Sequence, residues 1–315
     1  MDLSVWNTTE LPVVLRALRR VAAANGSVSA AEQALFDTIA QLHQAAGTKL
    51  AGDAVEAITP EQVAKVVVDP HRRKRAVQLA LVTAMVDGEV TPAQQAEVAA
   101  LAQALAVNER GVEVLGQVAG QHLGMARFHV ARRGMGKFFA RAYEEEGLAG
   151  LRKMMSILTG GGEDPELAWR YRELGLLPQG SLGRTYWEHC TQRHFAFPGE
   201  KGGIPQRMVF HDFGHVLAQY DTTPEGEIQQ GAFQAGFIRN DGFVFLLFVI
   251  MQFHLGIKLT PVAEGYRGLF DPKKVLRAVE RGAACRVDLS DGWSPWDVVA
   301  RPIDQVRAEY GIMPL

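Results

Sequence analysis

The stretch His211-Asp212-Phe213-Gly214-His215-Val216-Leu217-Ala218-Gln219-Tyr220-Asp221-Thr222-Thr223-Pro224-Glu225-Gly226-Glu227 decides how this chain is read. If Pro205 opens a helix, the residues after it advance about 100° each, so His211, Asp212 and His215 project within roughly a 100° arc. That helix is expected to end near Gln219 to Tyr220, where Thr223-Pro224 supplies the cap and first residue of the next. Glu227 then lies one turn into a helix that folds back, and its carboxylate can face an imidazole at the end of the preceding helix. Two histidines four apart are, taken alone, more often ordinary partly buried residues than ligands. An adjacent Asp and a returning Glu change that, because burying two carboxylates and two imidazoles without a metal or a dense hydrogen-bond network is costly. The expected ligand set for a divalent metal is His211, Asp212, His215 and Glu227, with Asp212, one step round the helix, the alternative candidate for a partner that orients an imidazole or accepts a proton.

Working outward, the same punctuation recurs along the chain. Eight of the 14 prolines follow Thr, Asp or Ser: Thr59-Pro60, Asp69-Pro70, Thr91-Pro92, Asp164-Pro165, Thr223-Pro224, Thr260-Pro261, Asp271-Pro272 and Ser294-Pro295. Each pair offers a capping oxygen and then a residue whose missing N–H a helix start does not need. Between these starts apolar residues recur at three and four, as in Leu11, Val14, Leu15 and Leu18, or on a broader face in Val77, Leu79, Leu81 and Met85. No convincing period-two run appears, so the expected fold class is all-α. At 315 residues, two helical domains are expected, residues 1–125 and 126–315. They meet in the Gly-interrupted stretch from about 111 to 135, and Gly160-Gly161-Gly162 is a second flexible point.

Residues 25–33 and 87–95 echo each other: an Asn-Gly or Asp-Gly turn, then Ser29 or Thr91 with Glu32 or Gln94 three residues on, the pattern of a capping box. A calcium loop is the functional rival, but the positions that would carry its early carboxylates are Val21, Ala23, Thr83 and Met85. His71-Arg72-Arg73-Lys74-Arg75 is the densest basic run and is expected to form a solvated helix face, with an anionic-lipid or nucleic-acid contact as the rival.

The net charge of −2 gives no global electrostatic case for nucleic acid. The two cysteines, Cys190 and Cys285, are far apart and expected to be free thiols of a reducing compartment. With no signal peptide visible, the expected location is cytoplasmic, peripheral membrane contact being open. The most apolar run, Phe243 to Met251, is too short to span a bilayer and is a core segment first, or the wall of a lipid pocket or a membrane-facing patch. No Gly-rich phosphate loop, Gly-x-Ser-x-Gly elbow or Cys-x-x-Cys pair is present.

The spacing His-Asp-x-x-His-x11-Glu resembles the signature of the coenzyme Q biosynthesis protein four family, helical proteins of ubiquinone biosynthesis with a zinc-type site. The segment from Gly180 to Tyr186, the run from Ala232 to Gly236 and the closing Val306 to Ile312 look like other segments of that family. Residues from about 130 to 315 are covered. The echoing half is similar to the tellurite-resistance TerB-like helical domain, over most of 10–110, and is expected to be an interaction or regulatory module without catalytic residues. The resemblance implies an apolar tunnel for a polyprenyl chain, with the metal near the ring end; zinc is expected first, iron or manganese as alternatives. It also implies oxidative decarboxylation of a hydrophobic or polyprenylated aromatic acid, with His211, Asp212, His215 and Glu227 as catalytic and metal residues. A non-catalytic lipid-binding scaffold for partner enzymes of a biosynthetic complex is the second expectation, a homodimer is open, and a His-Asp-type phosphohydrolase is a third reading. Arg184 is a candidate for pairing with an anionic group, or an ordinary surface arginine.

Overall fold

Six of the hydroxyl- or carboxyl-proline pairs start helices in the computed structural model: Thr59, Asp69, Thr91, Asp164, Thr223 and Asp271 each accept a backbone N–H with the side chain ahead of a proline at the helix start. Ser294-Pro295 opens only a 3-10 turn, Pro295–Asp297, without a side-chain cap. The structure describes residues 1–45, 58–158, 161–260 and 264–315, so the Thr260-Pro261 start and Gly160 lie outside the described residues.

The protein is all-α. In chain order the helices are α1 (Glu10–Ala23), α2 (Ala30–Ala45), α3 (Pro60–Val66), α4 (Pro70–Met85), α5 (Pro92–Ala104), α6 (Arg110–Ala119), α7 (Leu123–Leu158), α8 (Pro165–Arg172), α9 (Leu182–Arg193), α10 (Phe210–Ala218), α11 (Pro224–Phe237), α12 (Phe243–Phe253), α13 (Pro272–Ala284) and α14 (Ile303–Tyr310). The described residues contain no strand, only isolated bridges between Ser181 and Pro302 and between Leu255 and Arg267. The stretch from 111 to 135, expected as a connection, lies mostly in α6 and the start of α7, with a short turn at residues 120–122 between them. Helix α7 itself breaks at Gly147, whose φ of 61° and ψ of −144° are not helical.

In the first half the echo is a packing device. Ser29 and Glu32 complete one capping box (2.8 and 3.0 Å) and Thr91 and Gln94 the other (3.3 and 3.2 Å). The two boxes face one another, Ser29 donating to Asp87 at 2.6 Å and Gln94 to Glu32 at 3.4 Å. The basic run is not the solvated face expected of it. Arg72 pairs with Glu10 at 2.8 Å, Arg73 donates to the carbonyls of Ala64, Val67 and Leu105 at the ends of α3 and α5, and Arg75 is buried against Gln78. A guanidinium carries enough donors to cap two helix ends at once, which is how the run is absorbed.

In the second half α11 is the central helix, packed against α10, α12 and α13. It meets α13 backbone to backbone: a Cβ at Gly236 would lie 2.2 Å from the Val279 carbonyl oxygen, and one at Gly282 2.0 Å from that of Phe233. Only glycine permits such an approach. Helix α12 carries the Phe243 to Met251 run, most of it buried in an apolar core continuous with the first half; it is core and not a membrane-facing patch. Across the halves, Arg133 of α7 reaches Glu109 at 2.7 Å and also pairs with Asp241, while Gln78 donates to Glu109 at 2.7 Å.

Candidate metal centre

Pro205 does not open the helix that carries the two histidines. It precedes a 3-10 turn, Gln206–Met208, and α10 begins only at Phe210, which puts His211 and Asp212 in the first helical turn and His215 one turn on. The helix stops where Gln219 takes a left-handed conformation (φ 64°) and returns its N–H to the His215 carbonyl at 2.8 Å. Asp221 then accepts from Thr223 N–H at 2.9 Å, Thr223 caps α11 through Gly226 N–H at 3.1 Å, and Glu227 arrives in the first turns of α11.

The hairpin brings three ligand-type side chains together. His211 Nε2 and His215 Nε2 are 3.3 Å apart, and the Glu227 carboxylate spans the pair, its Oε2 lying 3.3 Å from His211 Nε2 and its Oε1 3.3 Å from His215 Nε2. Two ligands at about 2.0–2.1 Å from a tetrahedral metal are separated by about 3.3–3.4 Å, which is the separation of the two imidazole nitrogens. With one ligand atom taken from each residue, the three lie within 4.8 Å of one another. Among the described residues this is the one group of three or more His, Cys, Asp or Glu side chains close enough to share an ion.

The rings are oriented from behind. His215 Nδ1 faces the Tyr220 carbonyl at 3.1 Å, so it carries the proton and leaves Nε2 with its lone pair toward the ligand face. His211 Nδ1 is 3.0 Å from Nε2 of the buried Gln234 amide. With that amide flipped, its oxygen would accept from Nδ1–H and fix the same tautomer as in His215. Two arginines hold the end of α10: Arg307, from the closing segment, donates to the carbonyls of Val216 and Leu217 at 2.9 Å, and Arg281 donates to that of Ala218 at 3.1 Å while lying 5.0 Å over the Tyr220 ring. Cations at a helix C-terminus are favoured by its dipole.

Electrostatically the three groups form one coupled unit. Burial disfavours charge on His211, but the hydrogen bond and charge of Glu227 outweigh it and raise its pKa to about 9. Burial would raise the pKa of Glu227, yet the two imidazoles hold it well below the usual carboxylate range. At neutral pH a metal would meet a carboxylate already ionised and would displace a proton from His211.

Asp212, expected as a fourth ligand, is not gathered with the other three. Burial raises its pKa, opposed by the charges of His211 and His215, and its own charge raises the pKa values of Tyr171, Tyr186 and Cys190, the thiol reaching about 12 after the larger effect of burial. It belongs with this phenol and thiol group of α8 and α9, on which the next residue also rests: Phe213 stacks on Tyr186 at 4.1 Å. Tyr186 comes from the Gly180 segment, whose Ser181 caps α9. Arg184 is not available to an outside anion, being paired with Glu188 at 2.8 Å and laid over Trp187.

His189 was not visible as a site residue. From α9 its ring stacks 6.0 Å from that of His215, and burial, followed by the nearby charges of Arg193 and His215, lowers its pKa to about 4. A lone histidine 22 positions before the motif carries no spacing signal that would have marked it. A cavity of about 530 Å³ is walled by Val209 and Phe210, the residues just before His211 in the chain, together with Phe138, Met154, Leu167 and Trp293, and none of His211, Asp212, His215 and Glu227 lines it. Arg141, Lys153 and Arg207 line it too, each paired with an acid. The expected wall of α12 does not line it.

Comparison with known protein families and with curated proteins finds no match to this chain.

Proposed function

We propose that the chain is a metal-dependent protein of ubiquinone or related metabolism that binds one divalent metal through His211, His215 and Glu227 and removes the carboxylate of a hydrophobic or prenylated aromatic acid. The observation that carries this reading is the cluster of two imidazole nitrogens 3.3 Å apart with the Glu227 carboxylate spanning them, one oxygen 3.3 Å from each. The donor set fits the group: two imidazoles and one carboxylate suit zinc, and equally the two-histidine, one-carboxylate pattern of non-haem iron. When bound, such a metal supplies Lewis acidity at an open coordination position, or redox chemistry if it is iron.

The remaining roles fall to the chain itself. Glu227 and the two histidines hold the centre on a short hairpin that Arg281 and Arg307 pin at its bend. The cavity offers an apolar body to a ring and tail and a charged rim to a polar head. In this reading the bond that breaks joins the ring to its carboxyl carbon, which leaves as carbon dioxide; its replacement by a hydroxyl from water is a two-electron oxidation, with dioxygen taking up the two electrons and two protons as hydrogen peroxide. Asp212, outside the ligand cluster, is the proton acceptor nearest in sequence to the metal.

The test is turnover. Purified, metal-loaded protein is given a hydroxybenzoate-type acid with a prenyl tail, in oxygenated buffer, and carbon dioxide release is measured. Release that disappears in His211→Ala and Glu227→Ala supports the enzyme. Lipid binding that survives His211→Ala, with no turnover across several such acids, establishes the scaffold reading in its place, the metal then being structural.

A further inference from the structure

The apolar surface that the sequence suggested for a membrane, α12, is buried, while a different helix leaves one uncovered. On α7, Met125 (55% exposed), Phe128 (63%) and Tyr143 (55%) face solvent, with Met135 and Phe139 half-buried between them. Their spacings of three, seven, four and four keep all five on one side of the helix, along about 27 Å. From Gln121 to Tyr143 there is no acidic residue and there are five cations. Those turned inward are engaged: Arg133 with Glu109 and Asp241, Lys137 with Ser290, Arg141 with Asp291. Arg127 is exposed with no ion pair among the described residues, and Arg132 lies exposed over the Phe128 ring.

We propose that this face of α7 docks the protein on an anionic lipid bilayer, Met125, Phe128 and Tyr143 entering the boundary of the acyl region while Arg127 and Arg132 engage lipid phosphates. Large apolar side chains on one side with cations beside them and no acids between is the composition of an interfacial helix, and arginine stems can lie along the apolar stripe while their heads reach the phosphates. Charge decides against a second copy of the chain: a two-fold pairing of this face sets Arg132 and its neighbours against the same cations, with no acid from 121 to 143 to receive them. The acids that follow, Glu144 to Glu146, lie at one end of the stripe, and two of them are already held by Arg207. The helix lies on the bilayer and does not cross it, since no described helix is long and apolar enough to do so. The inference meets the proposed function at one point and rests on it only there: Phe138, Arg141 and Met154 of α7 also wall the cavity, so a substrate dissolved in the bilayer would reach that cavity along this helix.

The full chain is sedimented with vesicles of phosphatidylcholine alone and of an equimolar mixture with phosphatidylglycerol. It is expected to bind the anionic vesicles, with at least about a tenfold weaker partition in Met125→Ser/Phe128→Ser, and to lose its preference for phosphatidylglycerol in Arg127→Gln/Arg132→Gln. These side chains are exposed, so circular dichroism and metal content should stay unchanged in both variants. Absence of binding by the parent chain, or equal partition of parent and serine variant, overturns the proposal. So does a dimer in lipid-free buffer that the serine variant converts to a monomer, which would make the face a protein interface. The two readings fail separately: a parent chain that binds anionic vesicles but shows no metal or turnover counts against the enzyme reading alone, one with metal and turnover that binds no vesicles counts against the docking alone, and vesicle binding should survive in His211→Ala.

Discussion

Gly214 and Gln230 occupy the same space: a Cβ built on Gly214 would stand 2.0 Å from Gln230 Nε2. That nitrogen donates to the His211 carbonyl at 3.2 Å, so the glycine inside the metal motif is there to admit the amide that ties α11 to α10. Gly214→Ala improves helix propensity by about 1 kcal/mol but overpacks a buried crossing, which costs about 1–3 kcal/mol. The expected outcome in urea unfolding is a net loss of up to about 2 kcal/mol. Adding Gln230→Ala should cancel most of it; a strictly additive double mutant would show that the two side chains do not share this space.

The purified protein is expected to carry one divalent metal per chain. His215→Ala and Glu227→Ala should abolish it, since each removes one of the three gathered ligand side chains. Asp212→Asn should retain it, because that carboxylate is not gathered with the others. Elemental analysis after chelator-free purification decides this. A metal lost in Asp212→Asn but kept in Glu227→Ala would reverse the ligand assignment, and a parent chain that takes up no zinc, iron or manganese would leave a His-Glu-His hydrogen-bond cluster in its place.

Gln234 faces His211 Nδ1 with its side-chain amide at 3.0 Å through Nε2, and the flipped amide would accept from Nδ1–H and set the His211 tautomer. Gln234→Leu is expected to weaken metal affinity about 10–100-fold with little change in fold, as is usual when the partner behind an imidazole is removed. Gln234→Glu, which still accepts from Nδ1–H, should restore most of it. Competition against a chromophoric chelator measures both, and a leucine variant with parental affinity would remove Gln234 from this role.

His254 joins the halves of the protein in its neutral form. Its Nδ1 accepts from Phe270 N–H at 3.1 Å, so Nε2 bears the proton and donates to the Val86 carbonyl at 2.9 Å. Burial lowers its pKa, and the hydrogen bond to Val86 offsets this only in part. The unfolded chain takes up this proton below about pH 6.5, before the folded one does. Stability from this group is therefore complete above that pH and declines as pH falls through it, by at most about 1.4 kcal/mol per unit. His254→Gln should be less stable at pH 8 and show a shallower acid limb; equal acid slopes for the two proteins would contradict the assignment.

Much of the architecture was legible because it rests on local chemistry. The caps at Thr59, Asp69, Thr91, Asp164, Thr223 and Asp271, and the end of α10 at Gln219, follow from side chains within a few residues of the backbone groups they satisfy. The start of α10 was misplaced by five residues because a proline is as compatible with a 3-10 turn as with an α-helix. The basic run was misread because its partners, Glu10 and the carbonyls of Val67 and Leu105, come from other helices.

By itself the sequence determined an all-α chain and the triad His211, His215 and Glu227, since a four-residue spacing on one helix and a capped return by the next place three side chains together through covalent geometry alone. Tertiary packing alone decided the rest. It set Asp212 apart with Tyr171, Tyr186 and Cys190, brought His189 beside His215, chose Gln234 and Tyr220 to orient the imidazoles, buried α12 and left the Met125 to Tyr143 face of α7 uncovered. Each of these depends on which helix lies across which, and helix crossings are set by the fit of side-chain ridges from segments distant in the chain, which no local pattern encodes.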